Sequence, residues 1–231
     1  MRAKRILVRA CAIVLITIMP WFLALTTIFP LLSPPFLRLQ YARPDIPPSN
    51  RFAPQERQAF AEAAAHYLVS GRGIEYLADL RDAQGLPLFN ERELTHMVDV
   101  KLVLGKAVAL DIVFALLLAG SLGILLGQRE ARGRTPLYLL LGALVTLALC
   151  ASTIIAVPLQ FRWFFVEFHH LFFLGDSWLF PRSDTLIQLF PEAFWFDALQ
   201  SWILLIIVEA IVLGAAMYIW LRRRGRSIAF F

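Results

Sequence analysis

Four long apolar runs alternate with polar segments along this chain of 231 residues. About 20 apolar residues in a helix cross the hydrocarbon core of a bilayer, and each run reaches that length. The pattern predicts an all-α membrane protein with four transmembrane helices and a small, mostly helical extracytoplasmic cap. The predicted segments are an N-terminus at 1–9, spans at 10–29, 102–127, 137–160 and 198–221, the cap at 30–101, a short loop at 128–136, a loop rich in aromatic residues and histidine at 161–197, and a tail at 222–231.

The distribution of basic residues predicts the orientation. Half of the 22 Lys and Arg residues lie in the N-terminus, the 128–136 loop and the tail, which fall on one side of the membrane if there are four spans. The positive-inside rule places that side in the cytoplasm and the other two polar segments outside. The pI of 9.6 therefore indicates orientation and contact with anionic membrane lipids, not nucleic-acid binding. The first run is longer than the apolar part of a usual signal peptide, and no clear cleavage site follows it, so we expect an uncleaved span.

The cap should contain three helices. An alanine-rich pattern begins at Pro54, and a second short helix is predicted at Ile74–Asp82. Asn90 followed by Glu93 has the spacing of a capping box, which predicts a third helix running through His96 into the second span.

Two histidine-bearing stretches border apolar runs on the predicted outer side. One carries His96, and the other, at 161–189, carries His169 and His170 among many aromatic residues. A neutral imidazole, with a pKa of about 6.5, can accept and return a proton, and a second can donate an N–H to an oxyanion. Glu93 and Asp99, three residues on either side of His96, could orient its ring.

Cysteine, zinc and nucleotide chemistries have weaker support in the sequence. Cys11 and Cys150 lie inside apolar runs, where we expect buried packing residues. Three histidines with nearby acids could ligate zinc in a membrane hydrolase, but the chain has neither H-E-x-x-H nor C-x-x-C spacing. There is no P-loop, no G-x-G-x-x-G and no nucleophile elbow, so we expect an enzyme without a nucleotide, a cofactor or a covalent Ser or Cys nucleophile.

A non-enzymatic transport or accessory protein is a further alternative. Its charge path would use Lys106, Asp111 and Glu209, which lie in or near predicted spans, although a structural ion pair could equally explain them. The chain has no internal repeat and no pair of Gly- or Pro-broken helices, which weakens the transport hypothesis.

The sequence also resembles a bacterial four-helix integral membrane family that includes the lipoprotein intramolecular transacylase Lit. The resemblance rests on PLFNERELTHMVDVK, on FHHLFF followed by GDSWLFP, and on R-F-x-P-x-E-R at 51–57, and it extends over nearly the whole chain. It implies an enzyme that moves an acyl chain from the sn-2 position of diacylglyceryl-cysteine to the α-amine of the same cysteine. The product would be a lyso-form lipoprotein, and the partners would be diacylglyceryl-modified lipoproteins and membrane lipids.

By position, the resemblance makes His96 and His169 the catalytic residues, with His169 preferred to His170 because it follows Phe168 in the F-H-x-x-F pattern. We expect His96 to act as the base for the attacking amine, and His169 to polarise the ester and protonate the leaving oxygen. The remaining predicted site residues are Glu93, Asp99, Lys101 and His170 in supporting roles, and Arg162, Trp178 and Arg182 in contact with substrate or lipid, although Arg162 could simply extend to the membrane interface.

Overall fold

The structure is a computed structural model that describes residues 2–228. Met1, residues 229–231 and the side chains of residues 157, 158 and 225–228 lie outside the described part, so the end of the predicted tail is not covered. The helices are α1 Arg2–Thr26, α2 Ile28–Leu31, α3 Pro34–Tyr41, α4 Pro54–Val69, α5 Glu75–Ala78, α6 Glu91–Gly127, α7 Arg129–Arg132, α8 Thr135–Phe172, α9 Thr185–Leu189 and α10 Glu192–Ile228. Extended pairing in the described residues is limited to an isolated bridge between Arg81 and Pro87, and the all-α prediction is confirmed.

Four helical segments of the described chain are long and apolar enough to cross a membrane, as predicted. They are Arg2–Leu31, Glu91–Gly127, Thr135–Ala156 and Glu192–Arg224, so the protein is a multi-pass membrane protein. The 37 residues of α6 form a rod of about 55 Å, whereas the hydrocarbon core is about 30 Å thick. One helix can therefore carry a polar first part, which includes His96, and an apolar second part.

The segment 161–197, predicted as a loop, is helical in its first third. α8 passes a kink at Gln160, where φ is −142° and ψ is 27°, and continues to Phe172. Ring pairs four residues apart support this continuation: Phe161–Phe165, Phe164–Phe168, Phe165–His169 and Phe168–Phe172. The chain then turns through Gly175, whose φ of +57° suits glycine.

The chain divides into two compact units. The first contains residues 1–27, 108–156 and 202–231. Its core contains Cys11, Leu15, Leu118 and Leu125. A Cβ on Gly142 would lie 3.1 Å from the Leu15 carbonyl oxygen, so this glycine allows α8 to approach α1 closely.

Asp111 and Glu209 are acidic residues within candidate spans of this first unit, whereas Lys106 belongs to the second unit. Asp111 Oδ1 and Glu209 Oε2 are buried and have no hydrogen-bond partner in the described residues. No ion pair described for residues 2–228 includes Asp111, Glu209 or Lys106, and the predicted structural ion pair of Lys106 is therefore not seen. Cys11 and Cys150 are buried and unpaired, as expected.

The second unit contains residues 28–107 and 157–201. Its main core includes Phe52, Tyr67, Leu88 and Met97, and it extends to Leu186 and Leu189 of α9. The predicted alanine-rich helix is α4, while the second cap helix, predicted at 74–82, is confined to Glu75–Ala78.

Two arginines of the R-F-x-P-x-E-R motif hold α9 in the second unit. Arg51 donates to Thr185 Oγ1 over 2.7 Å at the start of α9. Buried Arg57 lies over the Tyr41 ring and donates to the carbonyl oxygens of Pro47 and Leu189. Tyr41 also donates to the Leu189 carbonyl oxygen, so the motif has a structural function at both ends of α9.

Candidate active site

His96 and His169 lie close together within the second unit. His96 belongs to the second turn of α6, and His169 to the last turn of α8. Their ring centroids are 6.5 Å apart, and the ring planes are inclined by only 19°. The rings therefore face each other across a gap too wide for a direct hydrogen bond between them.

Aromatic side chains surround both imidazoles. Phe173 and Phe180 contact His96, with ring centroids at 4.8 and 5.3 Å. Phe173 also contacts His169 at 5.6 Å, and Trp178 lies 4.5 Å from His169. This enclosure restricts water around the two rings and disfavours a positive charge on either of them.

The protonation state of His169 follows from its hydrogen bond. Its Nδ1 lies 2.6 Å from the Phe165 carbonyl oxygen, four residues earlier in α8. A carbonyl oxygen only accepts, so Nδ1 carries the hydrogen and Nε2 of the neutral ring carries the lone pair. Burial lowers the pKa of His169 below its usual range, against the opposing effect of the Phe165 hydrogen bond, and the neighbouring His170 lowers the pKa further. The geometry therefore presents Nε2 as a proton acceptor at neutral pH.

His96 has unused hydrogen-bonding capacity. Its Nδ1 is buried and has no partner in the described residues. In the described residues no hydrogen bond joins Glu93 or Asp99 to this ring, so the structure gives no support to the expectation that either of them orients it. Glu93 has other partners, described next, and ring contacts with Phe173 and Phe180 hold the imidazole instead.

Glu93 is a buried structural clamp, only 1% exposed. Its Oε2 accepts from the Asn90 backbone N–H at 2.9 Å, while Asn90 Oδ1 accepts from the Glu93 N–H at 3.0 Å, which confirms the predicted capping box. Its Oε1 accepts from the Leu186 N–H at 2.7 Å. The carboxylate thus joins the start of α6 to α9, and its supporting role is structural.

Arg92 is a positioning residue that the sequence interpretation missed. Its guanidinium donates to the Asp176 carbonyl oxygen at 2.8 Å and to that of Leu179, and it lies over the Phe180 ring. These contacts hold the turn at 175–178, which carries Trp178. The available signal was spacing, because Arg92 precedes His96 by four residues and shares its helix face.

The other predicted site residues differ in their exposure to solvent and in their contacts. His170 is exposed and meets Trp178 edge-on at 5.6 Å, whereas Trp178 is buried. Lys101 donates to the Arg72 carbonyl oxygen at 2.7 Å and lies over the Tyr67 ring. These contacts stabilise the cap. The side chains of Arg162 and Arg182 are exposed, and Asp99 is half-buried.

Neither of two open cavities of the second unit is lined by His96 or His169. The larger, about 510 Å³, includes Arg51, Asn90, Glu93 and Asp184 in its lining, and Arg182 lines a smaller one of about 370 Å³. Among residues 2–228, no group of three or more His, Cys, Asp or Glu side chains converges as a metal-binding set.

Replacing Arg92 by alanine should loosen the turn at 175–178, because two charge-assisted hydrogen bonds are lost. Hydrogen–deuterium exchange of peptides covering this turn should accelerate by about tenfold or more, since about 1.4 kcal/mol corresponds to a factor of ten. Arg81→Ala is a matched control, because Arg81 also donates to two cap carbonyl oxygens, those of Ala78 and Leu80. Unchanged exchange at the turn in Arg92→Ala would contradict the positioning role.

Comparisons with known proteins assign the chain to a family. The family model described as lipoprotein intramolecular transacylase Lit matches residues 12–195. An uncharacterized protein of Aquifex aeolicus (strain VF5) is 28% identical over 166 residues, which is 71% of this chain and 73% of that protein. An in meso structure of the membrane integral lipoprotein intramolecular transacylase Lit from Bacillus cereus has a TM-score of 0.69 and 18% identity, and the match covers 98% of this chain and 99% of that one.

Two further Bacillus cereus Lit structures, in which one histidine is replaced by arginine or by alanine, have TM-scores of 0.63 at 19% and 18% identity. Each match covers 98% of this chain, and it covers 95% of the arginine variant and 96% of the alanine variant. At this identity the solved structures show a common fold, and the family match covers well over half of the sequence. The chain belongs to the lipoprotein intramolecular transacylase Lit family.

Proposed function

We propose that this protein is an intramolecular acyltransferase of bacterial lipoproteins. It moves the sn-2 acyl chain of a diacylglyceryl-cysteine to the α-amine of the same cysteine and produces a lyso-form lipoprotein. The observation that carries the proposal is the pair of facing imidazoles, 6.5 Å apart and enclosed by aromatic rings, in a chain of the Lit family.

The reaction requires one proton acceptor and one proton donor. The amine nitrogen attacks the ester carbonyl carbon, a C–N bond forms, and the C–O bond to the glyceryl oxygen breaks. One proton leaves the amine, and one reaches the glyceryl oxygen, so atoms and charge balance without water or a second substrate. An ester is exchanged for an amide, which is downhill, and no nucleotide or acyl-CoA is needed.

The sequence predicts His96 as the base and His169 as the proton donor, and the hydrogen bond of His169 supports the reverse assignment. With Nδ1–H donated to Phe165, Nε2 of His169 is the free lone pair and acts as the base for the amine. A neutral imidazole has one N–H, and His96 has no hydrogen bond in the described residues that would engage it. We therefore assign to His96 the donation of a proton to the leaving glyceryl oxygen. The proton taken up by His169 then returns to His96 through the new glyceryl hydroxyl, which leaves both imidazoles neutral for the next turnover.

Positioning accounts for much of the expected rate. Donor ester and acceptor amine belong to one molecule, so the site needs only to hold it folded with the reacting atoms about 3 Å apart. Exposed apolar side chains next to His169, including Leu171 at 75% and Leu174 at 94%, suit contact with acyl chains and membrane lipids. Arg162 and Arg182, both exposed, are proposed to meet lipid phosphates or the lipoprotein peptide.

The basic segments support a topology in which both termini are cytoplasmic and the site faces the outer leaflet. Three segments carry the basic residues: the N-terminus, the loop at 128–136 and the tail. Bacterial lipoproteins carry their acylated cysteine at an extracytoplasmic membrane surface, so the substrate and the histidines would meet on that side.

The first test replaces each histidine by asparagine. We expect His96→Asn and His169→Asn to lose at least about a hundredfold of the acyl-transfer rate, because each removes a group that moves a proton. His170→Asn is the matched neighbour, since this ring is exposed and meets Trp178 in a T-shaped contact, and the loss of rate in this variant should stay below tenfold. Mass spectrometry of a synthetic diacylglyceryl lipopeptide measures N-acylated product. Full activity of either of the first two variants would refute its catalytic assignment.

The topology is tested with single cysteines at exposed positions. A membrane-impermeant maleimide is added to cells whose outer layers have been removed and whose cytoplasmic membrane is intact. It should label Ser183→Cys, whereas Glu130→Cys should react only after the membrane is permeabilised. Cys11 and Cys150 are buried and provide a low background. The reverse labelling pattern would invert the proposed orientation.

The pH dependence should reflect the base in its neutral form. The pKa of His169 is lowered by burial, so the base stays unprotonated at pH values where an ordinary imidazole is half-charged. The titration of the substrate amine is measured on the free lipopeptide, and the rate is corrected for it. We then expect the rate to fall at acid pH with a midpoint below about pH 6.5. A midpoint above that value would exclude the half-buried His169 as the base.

A further inference from the structure

The proposed transfer needs one hydrogen-bond donor more than the two histidines supply. When the amine attacks, the carbonyl oxygen becomes an oxyanion, and stabilisation of that charge requires a fixed donor. His169 presents a lone pair at Nε2 because its Nδ1–H is bound to Phe165. The one N–H of His96 is required by the leaving glyceryl oxygen.

Trp178 has an unused donor at this place. The residue is 7% exposed, and its indole Nε1 is buried without a partner in the described residues. An indole N–H donates only and stays neutral across the pH range of the reaction, so it needs an acceptor and cannot compete for the amine proton. Trp202 shows how an indole is ordinarily satisfied, because its Nε1 donates to the Ala24 carbonyl oxygen at 2.9 Å.

The surroundings of Trp178 fix its ring beside the base. Its ring centroid lies 4.5 Å from that of His169 and 6.3 Å from that of Phe165. The turn that carries it is held by Arg92, and the hydroxyl of the adjacent Ser177 is also buried without a partner. A rigid ring with an unsatisfied donor next to a proton acceptor has the arrangement of an oxyanion site.

We propose that the indole N–H of Trp178 is the oxyanion donor of this active site. It would bind the oxygen of the sn-2 acyl carbonyl more strongly in the tetrahedral transition state than in the ester. This assignment rests on the proposed function, and it makes Trp178 a catalytic residue rather than only part of the wall that contacts substrate.

The test is Trp178→Phe, which removes the N–H and keeps an aromatic ring, assayed with the full-length protein and a diacylglyceryl lipopeptide. We expect kcat to fall by about a hundredfold with KM within about threefold of the wild type, and with the pH profile unshifted, because the lost group does not titrate. Trp163→Phe is the control, since Trp163 is 62% exposed on the same helix as His169.

A second variant separates hydrogen bonding from packing. Benzothienylalanine at position 178 replaces the N–H by sulfur and retains the shape of the indole, so folding is preserved where phenylalanine leaves a gap. A similar loss of kcat in this protein supports the oxyanion role. Wild-type kcat in this protein, or a rise in KM with kcat unchanged in either variant, would overturn it.

The outcomes also distinguish this inference from the proposed function. If the wild-type protein yields no N-acylated lipopeptide, the transacylase proposal fails, and the oxyanion role fails with it. If the wild type is active and both Trp178 variants are equally active, only the oxyanion role is refuted.

Discussion

The geometry of the site depends on one buried carboxylate. Glu93 accepts hydrogen bonds from the Asn90 N–H at the start of α6 and from the Leu186 N–H of α9, which is 93 residues away in the chain. A helix is stiff, so fixing its first turn, which carries Arg92, also fixes the next turn, which carries His96. Losing such an acceptor leaves two N–H groups without a partner, at a cost of about 1–3 kcal/mol for each one buried.

The second histidine is oriented by backbone and ring contacts rather than by an acid. The carbonyl oxygen of Phe165 holds Nδ1 of His169, while the ring of the same phenylalanine packs on the imidazole at 4.2 Å. A carboxylate in this position would favour the imidazolium and raise the pKa, whereas a neutral carbonyl fixes the tautomer and leaves the ring uncharged. An apolar enclosure and a neutral imidazole are therefore compatible here, as the proposed lipid substrate requires.

Local signals in the sequence predicted the spans, the capping box at Asn90 and the two histidine stretches, because each depends on residues a few positions apart. The loop prediction for 161–197 is partly wrong because the apolar run ends before the helix does. The helix continues for as long as aromatic pairs stabilise it, to Phe172, shortly before Gly175. No local pattern indicates the hydrogen bond between Glu93 and Leu186, or the hydrogen bonds of Arg92 to the 175–178 turn. Both join parts of the chain that are distant in sequence.

A buried polar atom without a partner indicates a binding site only when no other polar atom of the same side chain is hydrogen-bonded. Arg57 Nε is also buried without a partner, but Nη1 and Nη2 of the same guanidinium bind two carbonyl oxygens, so the group as a whole is satisfied. The indole of Trp178 has a single polar atom, Nε1, and that atom has no partner in the described residues. A fold that keeps such a donor buried beside His169 gives up stability that a bound acceptor restores, and the carbonyl oxygen of a lipid ester is an acceptor of that kind.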